Sequence, residues 1–321
     1  MKKSIFYILL LLLLALKSFA QPFPSTDEKF PFLCTFGKNS SPEWGDDDFN
    51  QTFFFVIPQT EKNPVYIRIF DADVGGKYDE VHERTFNTKT QYSVYGGKGA
   101  HSNPDAKKAH PVGNYKSGIL LATKTVGQDT TYDNKWLTLG PFNPTEGELQ
   151  PDFGGYVLKI VIDGLEGDDG NMYKMFLSSK SSDNKPIEGG NAFTYEYCLR
   201  IPDTKGSICH LYPFIAANVI AVQIHVFDFD DDGIIRIISV SKKGLGEKSS
   251  GNNVWIKNVQ KTTKEELNTS YDIQFIKQNQ TKDNNIVVYT TNQFDELMPF
   301  FAAPIGGVPK FKYKIGVKTG K

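Results

Sequence analysis

The residues best equipped for chemistry are aspartates at alternating positions. Asp228-Phe-Asp230-Asp-Asp232-Gly233 sets three carboxylates two residues apart and follows them with glycine. Such a run can wrap a hard cation, with the glycine permitting the turn. Clustered carboxylates repel one another, which favours a counter-cation over an empty loop. An EF-hand would place glutamate at the twelfth position, where this chain has Ser239, so the loop is of another kind. An earlier set reads Asp71-Ala-Asp73, with Asp79 beyond it. Two later loops, Gly167-Asp168-Asp169-Gly170-Asn171 and Lys282-Asp283-Asn284-Asn285, bring Asp168 and Asp283 into consideration. Together these eight aspartates are the candidate calcium ligands. The competing reading is that Asp, Asn and Gly simply build good turns.

No catalytic motif stands beside them. There is no Gly-x-Ser-x-Gly elbow. His82, His101 and His110 sit at irregular spacings that fit no zinc pattern such as His-Glu-x-x-His. Gly96-Gly97-Lys98-Gly99 does not match a phosphate-binding loop. Many Asp and Glu residues could pair as acid and base, and spacing does not select a pair. Tyr92, Tyr95 and Tyr115 could stack on sugars or peptides, or pack the segment that carries them.

The elements that must position these groups read as strands. Short alternating runs such as Val65 to Phe70, Tyr156 to Ile162 and Val222 to Phe227 lie between clusters of Gly, Pro, Asn and Asp. Alternation with period two over such lengths marks half-buried antiparallel strands. Several runs recur in the same order. Val65-Tyr-Ile-Arg-Ile-Phe-Asp-Ala-Asp73 matches Val222-Gln-Ile-His-Val-Phe-Asp-Phe-Asp230, and Asn134-Lys-Trp-Leu-Thr138 matches Asn253-Val-Trp-Ile-Lys257. The expected fold is therefore all-β: two tandem antiparallel β-sandwich domains arising from an internal duplication. The first spans residues 21–201, with a long insertion at about 74–127. The second spans 208–321.

Met1-Lys2-Lys3, an apolar run from Ile5 to Leu16 and Lys17-Ser18-Phe19-Ala20 have the layout of a secretory signal peptide, residues 1–20. The apolar run is shorter than a membrane span requires, and no later segment is apolar enough to span. Removing Lys2, Lys3 and Lys17 takes the net charge from −1 to −4. Mild acidity with both signs interspersed gives no footprint for nucleic acid or anionic lipid. Cys34, Cys198 and Cys209 are too few for a disulfide framework, though one bridge between Cys198 and Cys209 is open.

The spacing of Asp71, Asp73 and Asp79 resembles the calcium loop of C2 domains, which are also β-sandwiches. The architecture resembles the non-catalytic sandwich modules attached to secreted bacterial proteins, including the pre-peptidase C-terminal type. The leading expectation is an exported, calcium-stabilised binding or structural protein of the bacterial periplasm or cell surface, with calcium as its cofactor and a protein or glycan of the envelope as its partner. The alternative is a secreted hydrolase acting on glycan or peptide, its site built by the 74–127 insertion. A convergent acid–base pair, or a histidine-rich cleft, would favour the enzyme.

Overall fold

The computed structural model describes residues 22–313 apart from Arg84. The expected signal peptide lies outside the described residues. The chain begins with β1 (Pro22–Phe23), β2 (Leu33–Phe36), β3 (Asn50–Pro58), β4 (Val65–Phe70) and β5 (Lys89–Gly96). It continues through β6 (Ile119–Val126), β7 (Trp136–Phe142), β8 (Glu148–Gln150), β9 (Gly155–Glu166), β10 (Gly170–Ser178) and β11 (Asn191–Thr194). Next come β12 (Glu196–Arg200), β13 (Ile208–Leu211), β14 (Phe214–Ile215), β15 (Ala221–Phe227), β16 (Gly233–Ile238) and β17 (Lys243–Glu247). The last are β18 (Trp255–Lys261), β19 (Thr269–Ser270), β20 (Asp272–Lys277), β21 (Asn285–Asn292) and β22 (Phe300–Phe301). Helical structure among the described residues is limited to short 3₁₀ turns, so the protein is all-β.

Every pairing between these strands is antiparallel. The largest sheet runs β18-β15-β21-β12-β2-β10-β4-β7, with β1 against β10. It draws its two ends from opposite halves of the chain, and they join where Leu199 of β12 faces Leu33 of β2. A second sheet runs β22-β11-β3-β9-β5-β6, with β8 on β9, and a third runs β13-β20-β16-β17. The 74–127 segment thus supplies two strands, β5 and β6, to the second sheet. β12 precedes the turn at residues 202–207 yet pairs with β21 beyond it along its whole length.

Alternation decides which side chains go inside. Along β12, Tyr197 and Leu199 enter a core shared with Phe53, Tyr271, Phe275 and Phe300. A fully buried aromatic or aliphatic side chain of this kind contributes about 1.5–3 kcal/mol. Cys198 belongs to a separate apolar layer with Cys34, Phe36, Phe227 and Val287, covered by Trp44 and Phe49 of the loop between β2 and β3. All three cysteines are free and buried. No Cys198–Cys209 bridge forms, because Cys209 faces the main core while Cys198 faces this outer layer.

Candidate functional site

The richest concentration of ionisable groups lies beside the seam of the large sheet. Asp46, Asp47 and Asp48 end the loop between β2 and β3. The Asp46 carboxylate accepts hydrogen bonds from the backbone N–H groups of Phe36 (2.8 Å) and Phe49 (2.9 Å), which fixes the loop's shape. Asp48 accepts from the Asn50 N–H at 2.9 Å and lies 3.4 Å from His110 Nδ1. Asp47 approaches the same imidazole nitrogen at 3.6 Å. Glu196, the first residue of β12, completes the group: Asp47, His110 and Glu196 bring donor atoms within 4.8 Å of one another. Glu196 Oε1 and Asp47 Oδ1 are buried and accept no hydrogen bond from the protein.

Their environments push the protonation equilibria apart. Burial, reinforced by Asp48, Asp47 and Asp46, drives the Glu196 carboxyl well above the usual carboxylate range. Burial and the neighbouring Asp48 raise Asp47 to about 6, while His110 pulls the other way. The hydrogen bond to Asp48 raises His110. A carboxyl of raised proton affinity, a second raised to about 6 and an imidazole of raised proton affinity thus share one small volume. Carboxyls held at different proton affinities beside an imidazole are the kind of set that acid–base chemistry can use. The same donors stand close enough to hold one metal ion.

Strand register extends the site sideways. Glu196 pairs with Tyr289 across β12 and β21, and Tyr289 pairs with His225 across β21 and β15. Direct pairing puts these three side chains in one row on one face. The His225 ring stacks on Tyr289 at 4.3 Å, and Trp255 lies 5.2 Å from Tyr289. His110 meets both Trp255 and Tyr289 edge-on, at 6.4 Å. A cavity of about 870 Å³ opens here, lined by His110, Tyr195, His225, Tyr289, Phe294 and Lys108 among others. A smaller groove of about 260 Å³ is lined by Asp48, Pro111, Tyr115, Lys116 and Asp163 among others.

That segment is the 97–118 connection between β5 and β6, and it is tied down as a strap. The Glu148 carboxylate accepts from the N–H groups of Gly99, His101 and Ser102 at 3.0, 2.6 and 2.8 Å. Burial opposes ionisation of Glu148, but these bonds outweigh it and hold the carboxyl below its ordinary range. Lys159, fully buried, donates to the carbonyls of Tyr115 (2.5 Å) and Ser117 (2.7 Å).

The eight aspartates singled out from the sequence do not gather at this seam. Asp71 and Asp73 come within 4.8 Å of each other and of Asp133. Asp79 is occupied by backbone, accepting from Gly75 N–H and Met172 N–H, each at 2.7 Å. The Asp168 backbone N–H donates to the Asn87 side chain at 3.0 Å. In the second half, Asp228 accepts from Asn253 N–H, as Asp71 does from Asn134 N–H. Asp230 is half-buried beside Asp232. Asp232 forms a buried ion pair with Lys277, and Asp283 pairs with Arg200 at 2.7 Å. The seam residues Asp47 and Glu196 carried no motif, although Gly45-Asp46-Asp47-Asp48 is as acidic a run as those above. His110 stood out only as a histidine of irregular spacing. No protein-family model matches the chain, and no curated protein matches it.

Proposed function

We propose that the protein is an exported hydrolase that cleaves a glycan, free or carried on a peptide. The observation that carries this reading is the buried Glu196 carboxyl beside Asp47 and His110, with His110 also lining a cavity walled by Tyr195, His225, Tyr289 and Phe294. Glu196, whose proton affinity is raised by burial and by Asp48, Asp47 and Asp46, donates a proton to the departing oxygen or nitrogen. Asp47, ionised above about pH 6, takes a proton from the attacking water. His110 holds Asp47 and Asp48 in place and stabilises their charge. Tyr195, Tyr289 and Phe294 in the cavity wall suit the apolar faces of sugar rings, while Lys107 and Lys108 offer donors beside them. The strap over residues 97–118 supplies His110, so the 74–127 segment helps to build the site.

Behind this stands a gene duplication. The order β2-β10-β4-β7 with β3-β9-β5-β6 returns as β12-β21-β15-β18 with β13-β20-β16-β17 when strands are taken in chain order. Asp71 and Asp228 occupy matching left-handed positions, with φ of 59° and 60°. Each bonds an asparagine two residues before Trp136 or Trp255. We read the chain as two related sandwiches joined through β2 and β12, with the site at their junction.

The test is incubation of the purified protein with polysaccharides, free oligosaccharides and glycoproteins, with mass spectrometry of released products. Cleavage of one glycan class by wild type, lost in Glu196→Gln and Asp47→Asn, is the expected result. Binding without cleavage across the panel would return the protein to the class of non-catalytic envelope modules.

A further inference from the structure

We infer that the first half of the chain holds a structural calcium ion between Asp71, Asp73 and Asp133, and that the corresponding loops of the second half have replaced that ion with a lysine. The three carboxylates come from two loops at one end of the sandwich, one after β4 and one before β7, and lie within 4.8 Å of one another. Asp71 is fully buried and Asp73 is 1% exposed. One oxygen of each is already fixed: Asp71 Oδ1 accepts from Asn134 N–H at 2.7 Å, and Asp73 Oδ2 from Asp129 N–H at 3.3 Å. The other oxygens, Asp71 Oδ2 and Asp73 Oδ1, are buried with no protein partner. Among the described residues, none of the three carboxylates forms an ion pair. Two unpartnered buried carboxylate oxygens that converge cost several kcal/mol unless a cation joins them.

The donor set selects the ion. It holds only hard carboxylate oxygens, with no imidazole or thiolate, which suits calcium over zinc or copper. Asp133 is only half-buried, so water can complete the six to eight oxygens calcium takes. Asp79, bonded through both oxygens to backbone N–H groups, braces the loop rather than joining the ligands.

The second half shows how the same loops do without an ion. Asp228 and Asp230 stand where Asp71 and Asp73 stand, but Asn252 occupies the position of Asp133, two residues before Val254-Trp255 as Asp133 is two before Lys135-Trp136. Further along the same loop, Asp232 receives the buried Lys277 ammonium, which also donates to the Thr281 carbonyl at 2.5 Å. A fixed ammonium thus provides the positive charge.

Terbium luminescence tests this directly, because Trp136 and Tyr132 lie in or beside the loop and can sensitise a lanthanide that takes a calcium site. The chelator-stripped protein should bind one terbium, calcium should displace it, and calcium should raise the melting temperature more than magnesium does. Asp73→Asn and Asp133→Asn should each weaken calcium by roughly tenfold or more, and Asp230→Asn should leave it unchanged. Asp133→Asn guards against a folding failure at the more buried Asp73. No sensitised emission, equal affinity in Asp133→Asn, a preference for magnesium, or loss of binding in Asp230→Asn would each overturn the assignment. These readouts are independent of hydrolase activity.

Discussion

Burial and three neighbouring aspartates raise the proton affinity of Glu196, and a measurement follows from that. Its native proton affinity is raised while the unfolded chain ionises near 4.5. Stability from this group is therefore full below that pH and is lost as pH rises towards the raised native value. Glu196→Gln keeps the shape and removes the titration. Its melting temperature should gain on that of wild type as pH rises above about 4.5, while cleavage falls by roughly 10²–10⁴-fold. A second expectation concerns Asp47, which His110 holds down against burial. His110→Gln should shift the acidic limb of the pH–rate profile upward from about 6. A limb that stays in place would remove Asp47 from the role of base.

At the scale of elements, the strap over residues 97–118 is fastened at its start by one carboxylate. Glu148 on β8 fastens three backbone donors within four residues, those of Gly99, His101 and Ser102, and among the described residues no other acid bonds them. Hydrogen bonds to a charged group are each worth about 1.5–3 kcal/mol. Glu148→Gln keeps an acceptor but loses the charge, and should destabilise the protein by about 2–3 kcal/mol. The loosened strap should also be cut sooner by protease within 97–118 and should carry His110 away from Asp48. Cleavage activity should then fall mainly through KM. Unchanged proteolysis and kinetics would show that the strap is held by its ring contacts instead, such as His101 against Phe54 and Tyr195.

Over the whole molecule, the large sheet and its core cross from one half of the chain to the other. Phe23, Tyr197, Tyr271 and Phe300 share one apolar cluster, so neither half can lose its core alone. Calorimetry should show a single transition with equal calorimetric and van't Hoff enthalpies. A fragment beginning at residue 208 lacks β12, the neighbour of β21, and should not fold. Glu28 adds a pH dependence to this joint unit. Burial raises its carboxyl to about 7, against hydrogen bonds from Tyr197 and Ser25. The native state thus keeps a proton that the unfolded chain releases near 4.5, and stability on the order of 3 kcal/mol is lost between those values as pH rises. Glu28→Gln should flatten the fall in melting temperature over that interval.

Strand content was determined by the sequence itself. Alternation in Val65 to Phe70 or Val222 to Phe227 is a local property, and burying one face of such a segment needs no knowledge of its partner. The recurrence of these runs and the acidity of the loops were legible for the same reason. The site was not. Asp47, His110 and Glu196 belong to three distant segments, and their proximity follows from how β12 pairs with β21 and where the strap is tied. Which acidic loop carries its own counter-charge was equally hidden, because Lys277 lies 45 residues from Asp232 and reaches it only through the folded sheet. Proton affinity depends on desolvation and on neighbours within a few ångströms, and these distances exist only in the tertiary structure.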